Sequence, residues 1–432
     1  MSILLKLRLE LGESLDRHLD AASRHLSKLL EKSMSSGYLR IWSYPRFDSV
    51  LAASVLYSVS ASLGTRPVFK TSITPPSKIE IPTILLGYQQ VDYGTSQVEA
   101  PLFAVATRIS SSPPPDAVFL DGDGSVPGMV ALLLLSMGGI FTRREFLALL
   151  LSAMYKGDNI DPRGRFYGVD AVAVDRMLPT DRLGLDSITT LKAYLPHELT
   201  ICESISITVN PYYPTFTGNK EECDRFLHAS GLGRISDKTL ETISKKDLEN
   251  LAVSLLSRIK EYSSLTELDA SYYLGAILVS RNTTGHIKDY RLASDALLYA
   301  SEAFKSPAPL LASSLDYENE YRIIEHMLLS YSKEFPEQVS EAMPKRIKNI
   351  TWARTYLVTL TRQSSLTLLW MALSFLKKID RESILVLESD GEYIASSYQI
   401  EYALGEGSLK RLKDAKVLEG DGVLVKINAE RQ

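Results

Sequence analysis

Carboxylates that could hold a metal ion occur at several points in the first 165 residues. Asp48 follows the apolar segment YLRIWSY, Asp121 and Asp123 lie in FLDGDGS, and Asp158 and Asp161 lie in the turn GDNID. Hard divalent ions such as Mn²⁺ and Mg²⁺ take oxygen and imidazole ligands, and a two-metal phosphoesterase needs several of them. The carboxylates therefore raise the question of metal-dependent phosphoester chemistry.

The other loops that would have to complete such a site carry no ligands. The segment after PTILL supplies Gly87 and Tyr88, and the next apolar segment ends in Ala106, Thr107 and Arg108. Neither stretch contains an acid or a histidine, and the six histidines of the chain are scattered. The pattern therefore indicates a metal site that has lost most of its ligands.

Two arginines lie where a cleft is expected. Arg46 and Arg108 follow predicted strands and could grip an anion such as DNA phosphate or a partner's carboxylate. The alternative is a salt bridge to Asp48 or Asp158 that replaces a lost metal ion. For Asp158 and Asp161 the alternative to metal binding is capping of the following segment, since such turn chemistry is common.

Composition excludes several classes of protein. The chain has 432 residues, 45% hydrophobic and 23% charged, with a net charge of −4, so it is globular and has no electrostatic footprint for autonomous nucleic-acid binding. The two cysteines, Cys202 and Cys223, are too few and too isolated for a disulfide framework or a zinc site, which fits a reducing cytoplasm. The longest apolar run, residues 128–141, is shorter than the roughly 20 residues that a membrane-spanning helix needs.

Periodicity predicts an α/β fold. Five short apolar segments are typical of buried strands: YLRIWSY, PVFKTSI, PTILLGY, PLFAVATRI and DAVFLD. Their lack of strict alternation favours a five-stranded, mainly parallel sheet that helices cover on both faces. Helices are predicted at 126–137 and 143–155, and the apolar run at 128–141 is expected to be a buried core helix. A leucine stripe predicts an amphipathic helix before residue 37, and a long helix is predicted from residue 351. In such a sheet, ligands bind at the carboxyl ends of the strands.

The strand IWSY, the loop PRFDS and the helix after them resemble the first motif of the DHH phosphoesterase family. In that motif a histidine and two spaced aspartates precede the helix. The corresponding positions are Tyr44, Arg46 and Asp48, of which only Asp48 matches. The glycine that follows in the family is Ser49 here, and the aspartate of the second motif falls at Gly87.

The resemblance places the remaining motifs in the same domain. The Asp-His-His triplet falls on Ala106, Thr107 and Arg108, whereas the late Gly-Asp-x-x-Asp turn matches through Asp158 and Asp161. These positions, with those of the first two motifs, are thus expected to be a vestigial active site without a metal ion or other cofactor. Arg46 and Arg108 remain the candidates for nucleic-acid contact.

A second segment, PYYPTFTGNKEECDRFLHASGL (211–232), resembles archaeal RecJ-like proteins. The resemblance covers residues 38–232 well and the C-terminal part loosely, as a degenerate DHH-associated domain. Together with the helical periodicity, it divides the chain into an N-terminal amphipathic helix (1–37), a degenerate DHH domain (38–200), a mostly helical RecJ-like middle region (201–350) and a small α/β C-terminal domain (351–432).

The function that the resemblance implies is a non-catalytic one in DNA replication. Archaeal RecJ-like proteins associate with GINS and the MCM helicase, and their eukaryotic counterpart is the inactive DHH-like subunit of the CMG helicase. GINS and MCM are therefore the expected partners, single-stranded DNA is a further candidate, and the expected location is the cytoplasm at the nucleoid, away from membranes. Two alternatives stay open: a divergent single-strand exonuclease or phosphoesterase that uses Asp48, Asp121, Asp158 and Asp161, and a regulator that binds a small nucleotide.

Overall fold

The protein is described from a computed structural model. The structure describes residues 5–9, 15–88, 90–91, 97–105, 108–109, 117–122, 124–138, 143–156, 160–161, 163–177, 185–263, 270–281, 287–313, 318–347, 350, 352–360, 364–389, 391–405 and 407–428.

The N-terminal part alternates strands and helices. Its elements are β1 (Leu5–Leu9), α1 (Leu15–Ser36), β2 (Tyr38–Ser43), α2 (Phe47–Ser62), β3 (Arg66–Thr71), β4 (Lys78–Ile79), β5 (Thr83–Leu86), β6 (Gln90–Val91), β7 (Gln97–Val98), β8 (Leu102–Val105), β9 (Arg108–Ile109), β10 (Ala117–Gly122), α3 (Val126–Ser136), α4 (Arg143–Lys156) and α5 (Gly168–Met177).

The middle part is mostly helical, as predicted. It contains β11 (Leu185–Leu191), α6 (Ile201–Ile207), α7 (Lys220–Ala229), α8 (Lys245–Ser263), β12 (Leu274–Ser280), α9 (Tyr290–Ala303), α10 (Ala308–Ser313) and α11 (Glu318–Glu341). Short 3₁₀ helices lie at Gly233–Ile235 and Ala270–Tyr272, and β11 pairs with β12 in an antiparallel ribbon.

The C-terminal part is a second α/β unit. It contains β13 (Lys345–Ile347), β14 (Arg354–Val358), α12 (Leu366–Phe375), β15 (Ser383–Ser389), β16 (Glu392–Ser396), α13 (Ser397–Leu404), α14 (Ser408–Asp414), β17 (Leu418–Glu419) and β18 (Leu424–Ile427). Its strands form a mixed sheet in the order β13-β14-β15-β16-β18-β17.

The first sheet has the order β1-β10-β8-β5-β2-β3, and all of its strand pairs are parallel. The predicted mainly parallel sheet is confirmed, because each of the five predicted segments supplies a strand. The sixth strand, β1, was missed. The sequence favoured a helix across residues 1–37, but Leu5–Leu9 pairs with β10 and the helix begins only at Leu15. The segment LKLRL fits the two-residue period of a strand as well as a helical stripe, so its leucines alone could not decide.

The run at 128–141 was expected to form a buried core helix, and α3 confirms this over its described length, with Val126 to Leu134 buried. Ser125 caps this helix by accepting a hydrogen bond from the Gly128 N–H. Among the helices that the structure describes, none combines the length and the apolar character required to cross a membrane.

Two sequence predictions outside the first sheet are wrong. Cys202 and Cys223, expected to be isolated, form a disulfide that joins α6 to α7, because the irregular segment NPYYPTFTG turns the chain back between these helices. The cysteines therefore no longer support the expectation of a reducing cytoplasm. The long helix expected from residue 351 is also wrong. Arg354–Val358, rich in β-formers, pairs with β15, and the helix is limited to Leu366–Phe375.

Candidate functional site

The described positions of the predicted vestigial site follow strands that end at the carboxyl edge of the first sheet. Ser43 at the end of β2 is level with Leu86 at the end of β5, and Leu86 is level with Val105 at the end of β8. Because parallel strands end at the same edge, Tyr44 and Gly87, which follow β2 and β5, are brought together there.

A buried ion pair occupies the loop after β2. Arg46 Nε donates to Asp48 Oδ1 at 3.0 Å and Arg46 Nη2 donates to Asp48 Oδ2 at 2.5 Å. The Ser49 N–H also donates to Asp48 Oδ1, at 2.7 Å. The two charged side chains are only 9% and 3% exposed. Of the two alternatives that the sequence offers for Arg46, the structure shows the salt bridge to Asp48. A contact of Arg46 with nucleic acid stays a prediction.

Gly87 and Ser49 fit each other closely. Gly87 has a φ of 76°, in the left-handed region. A Cβ atom on Gly87 would lie 1.9 Å from Ser49 Oγ and 2.7 Å from Ser49 Cβ. Any side chain at residue 87, such as the aspartate of the resembling family, would thus collide with Ser49, which stands where that family has glycine.

Tyr44 ties the site to the C-terminal unit. Its hydroxyl donates to Glu401 Oε1 at 2.9 Å and accepts from the Lys410 N–H at 3.1 Å. Glu401 also accepts from the N–H groups of Gly407 at 2.9 Å and Leu409 at 2.8 Å. Burial raises the pKa of the Tyr44 hydroxyl far above its usual range, and burial also raises the pKa of Glu401. Tyr44 is therefore a neutral hydrogen-bonding bridge between α13, α14 and the first sheet.

Two further carboxylates hold the C-terminal unit in place. Glu302, at the end of α9, accepts from Ser365 Oγ at 2.5 Å and from the Thr367 N–H at 3.1 Å, at the start of α12. Asp421 accepts from the Ile73 N–H at 3.0 Å, just beyond β3. The C-terminal unit is thus attached by polar contacts at separate points on the molecule, buried at Glu302 and partly exposed at Asp421.

Apolar packing closes the space between the two sheets. Leu85 of β5 and Ala104 of β8 belong to the same buried cluster as Ile384, Val386 and Ile400 of the C-terminal unit. A cleft that opened between these units would expose this cluster to water. The apolar cluster therefore adds to the polar contacts in keeping the two units together.

Aromatic side chains fill the space beside the ion pair. The rings of Phe47 and Tyr155 lie 4.4 Å apart, and Phe47 is 6.1 Å from Tyr398. The cavity left among them measures about 30 Å³. That volume suits one or two water molecules, whereas small-molecule pockets span about 300–1,000 Å³. The cavity is lined by Arg46, Phe47, Asp48, Tyr155, Tyr398, Glu401 and Tyr402.

Asp161 has a local structural role. It accepts from the N–H groups of Arg163 at 2.7 Å and Arg165 at 2.9 Å, and these hydrogen bonds, Arg165 first, lower its pKa. The capping alternative is therefore observed for this aspartate. In the part of the chain that the structure describes, no three His, Cys, Asp or Glu side chains lie together as a metal-binding group.

Several predicted site residues fall outside this description. The backbone of Arg108 pairs with Gln90 beyond the ends of β5 and β8. The convergence of Arg108 and Asp158 with Arg46 and Asp48 stays a prediction. The positions whose side chains or whole residues lie outside the described part are Ala106, Thr107, Arg108, Asp121, Asp123 and Asp158.

The comparisons with known proteins rest on structure. No protein-family model and no curated protein sequence matches the chain. The structure is similar to that of CDC45 from Entamoeba histolytica, with a TM-score of 0.60 and 10% identity over 95% of this chain and 96% of that chain. Two manganese-bound RecJ structures also align at 12% identity. The first, from Thermus thermophilus, has a TM-score of 0.39 over 98% of this chain and 53% of that chain. The second has a TM-score of 0.38 over 95% of this chain and 89% of that chain. Both scores are too low to establish a common fold.

Proposed function

We propose that this chain, whose fold is that of CDC45, is a non-catalytic DNA replication factor that binds GINS and supports the MCM helicase. The observation that supports the proposal is that the described residues at the predicted vestigial positions make structural contacts. Of the positions that resemble DHH ligands, Tyr44 bridges two units, Arg46 neutralises Asp48, and Gly87 has no room for a side chain.

The energetics of the Arg46–Asp48 ion pair support a non-catalytic role. A metal ion at Asp48 would have to displace a bidentate guanidinium that is itself buried. Removing one partner from such a pair costs about 3–5 kcal/mol, because the other charge is left uncompensated. The native contacts of Asp48 therefore favour a fixed, metal-free arrangement over catalysis.

The domain boundaries and the cellular location belong to the same proposal. The degenerate DHH domain at 38–200, the RecJ-like middle region at 201–350 and the C-terminal domain at 351–432 serve as a scaffold that retains the fold after loss of chemistry. We place the protein in the archaeal cytoplasm, at the nucleoid. Cytoplasmic disulfides are rare in mesophiles but common in hyperthermophilic archaea, which accommodates the Cys202–Cys223 bond.

The test is a binding experiment with the cognate GINS complex. A stable complex needs a surface of about 800 Å² per partner, and size-exclusion chromatography at micromolar concentration should show a single co-eluting peak. Addition of the complex to MCM should raise DNA unwinding. Two separate peaks would contradict the replication role and favour the nucleotide-binding regulator.

The matched control is Asp48→Asn. This variant removes the charge of Asp48 from its ion pair with Arg46. The proposed GINS surface does not depend on catalytic residues, so it should be unaffected. Co-elution with GINS should persist in this variant as long as circular dichroism shows a folded protein. Loss of GINS binding in a folded Asp48→Asn variant would show that the vestigial site itself forms the contact.

A further inference from the structure

One face of β2 and β3 carries an ordered arrangement of cations and apolar groups. The parallel register places Tyr38 opposite Arg66, Arg40 opposite Val68 and Trp42 opposite Lys70. Alternate residues of a strand point to the same side, so these six side chains share one face, which we call the β2–β3 face. Each of its three cross-strand pairs joins one cation to one apolar or aromatic side chain.

Most of the β2–β3 face is open to solvent, whereas Trp42 is partly buried against the apolar cluster that continues it. Tyr38 is 46% and Val68 is 50% exposed. On the neighbouring strands the C-terminal unit covers Leu85 and Ala104. Tyr38 and Val68 lie on adjacent strands among cations, and apolar surface rimmed by polar groups is what marks an interaction site when it is contiguous. The C-terminal unit therefore leaves uncovered a part of the sheet that is suited to another partner.

Arg40 and Lys70 of the β2–β3 face are held beside the Trp42 ring, and Arg40 also lies near the Glu80 carboxylate. Lys70 Nζ lies 4.7 Å from the centre of the Trp42 ring and Arg40 Cζ lies 5.6 Å from it, so cation–π attraction holds both charges at the surface. Within the described residues, neither Arg66 nor Lys70 has a carboxylate partner. The nearby Glu80 pairs with Lys78 instead.

We propose that the β2–β3 face binds an acidic peptide segment of a partner protein that also carries apolar side chains. Carboxylates would pair with Arg66, Lys70 and Arg40, and apolar groups would cover Tyr38 and Val68. Such alternation of charge and apolar surface is what the three cross-strand pairs present. This inference goes beyond the replication role and does not depend on it.

Two features favour side-chain contacts with a peptide over other occupants. Pro67 in the edge strand β3 has no N–H to donate, which disfavours the addition of another strand along this edge. The Trp42 ring is already contacted by two cations and Val68 is aliphatic, so Tyr38 is the open ring of this face, whereas single-stranded nucleic acid is bound by stacking successive bases on several rings.

The experiment measures fluorescence anisotropy of a labelled peptide rich in Asp and Glu with regularly spaced Leu. The full chain should bind it, and Arg66→Glu/Lys70→Glu should bind it at least about tenfold more weakly. The control Lys245→Glu/Lys246→Glu makes the same charge change on exposed residues of α8 and should leave the affinity unchanged. Val68→Ser should weaken the Leu-containing peptide but not a poly-Glu peptide.

Three results would overturn the proposal. One is equal affinity of the wild type and the Arg66→Glu/Lys70→Glu variant. Another is poly-Glu binding as tight as that of the Leu-containing peptide. The third is that the wild type binds oligo(dT) and the double variant does not, while both bind the peptide. That result would identify the face as a nucleic-acid surface. Lys70→Gln, a milder change, replaces the double variant if circular dichroism shows that the latter is unfolded.

Discussion

Replacing Gly87 with alanine should destabilise the protein by more than its backbone conformation explains. The φ of 76° costs an L-residue about 1–2 kcal/mol. The new Cβ would also lie 1.9 Å from Ser49 Oγ, and relief of such overpacking in a buried site costs a further 1–3 kcal/mol, approximately. The free energy of unfolding should therefore fall by about 2–5 kcal/mol.

Two comparisons separate these contributions. Gly64 has a φ of 81° and no heavy atom within 4 Å of a built Cβ, so Gly64→Ala measures the backbone cost alone, about 1–2 kcal/mol. Ser49→Gly removes the atoms that a side chain at residue 87 would meet. In a double-mutant cycle, Ser49→Gly and Gly87→Ala should therefore show a favourable coupling of about 1–3 kcal/mol.

The assay is urea unfolding at neutral pH, followed by circular dichroism and by tryptophan fluorescence so that the transitions of separate units can be distinguished. If Gly87→Ala costs no more than Gly64→Ala, or if the coupling is below about 0.5 kcal/mol, Ser49 does not fill the space beside Gly87. The steric explanation for the absence of a side chain at residue 87 would then fail.

The remaining predictions concern contacts elsewhere in the molecule. Replacing both Cys202 and Cys223 with alanine should lower the free energy of unfolding by about 3 kcal/mol, the loop-closure value for their sequence separation of 21; an unchanged urea midpoint would contradict this. Burial raises the pKa of Glu325 from 4.5 to about 7, so its contribution makes stability fall as the pH rises through that range. Because burial also raises the pKa of Asp289 to about 6, Glu325→Gln should reduce the fall in melting temperature without abolishing it; equal pH profiles of wild type and variant would refute this. Tyr44→Phe should cost about 1–3 kcal/mol, because it removes one of the donors to the buried Glu401 and leaves the Lys410 N–H without its acceptor; a loss below the error of urea unfolding would contradict the bridge.

The fold was largely predictable because its strands are strongly apolar. The five segments between residues 38 and 121 all form strands of one parallel sheet. Their lengths and the turns between them are typical of strands, so few other assignments were compatible with the sequence. β1 was missed because LKLRL satisfies two periods at once. Strand β14 was mistaken for part of a helix because its β-propensity was outweighed by the apolar run that follows it.

The site was predictable only where its contacts are local. Arg46 and Asp48 are two residues apart, so their salt bridge could be proposed from the sequence. The bond from Tyr44 to Glu401 spans 357 residues, and no local pattern indicates it. The same holds for Phe47 against Tyr155 and for the disulfide, since spacing along the chain does not report proximity between separate helices.

The most direct test of the account is a nuclease assay of the purified chain on single-stranded DNA with Mn²⁺. Because Asp48 is held by Arg46 and residue 87 has no side chain, we expect no cleavage above that of a heat-inactivated sample. Mn²⁺-dependent cleavage by the wild type that disappears in both Asp48→Asn and Asp158→Asn would contradict the account and establish a divergent exonuclease.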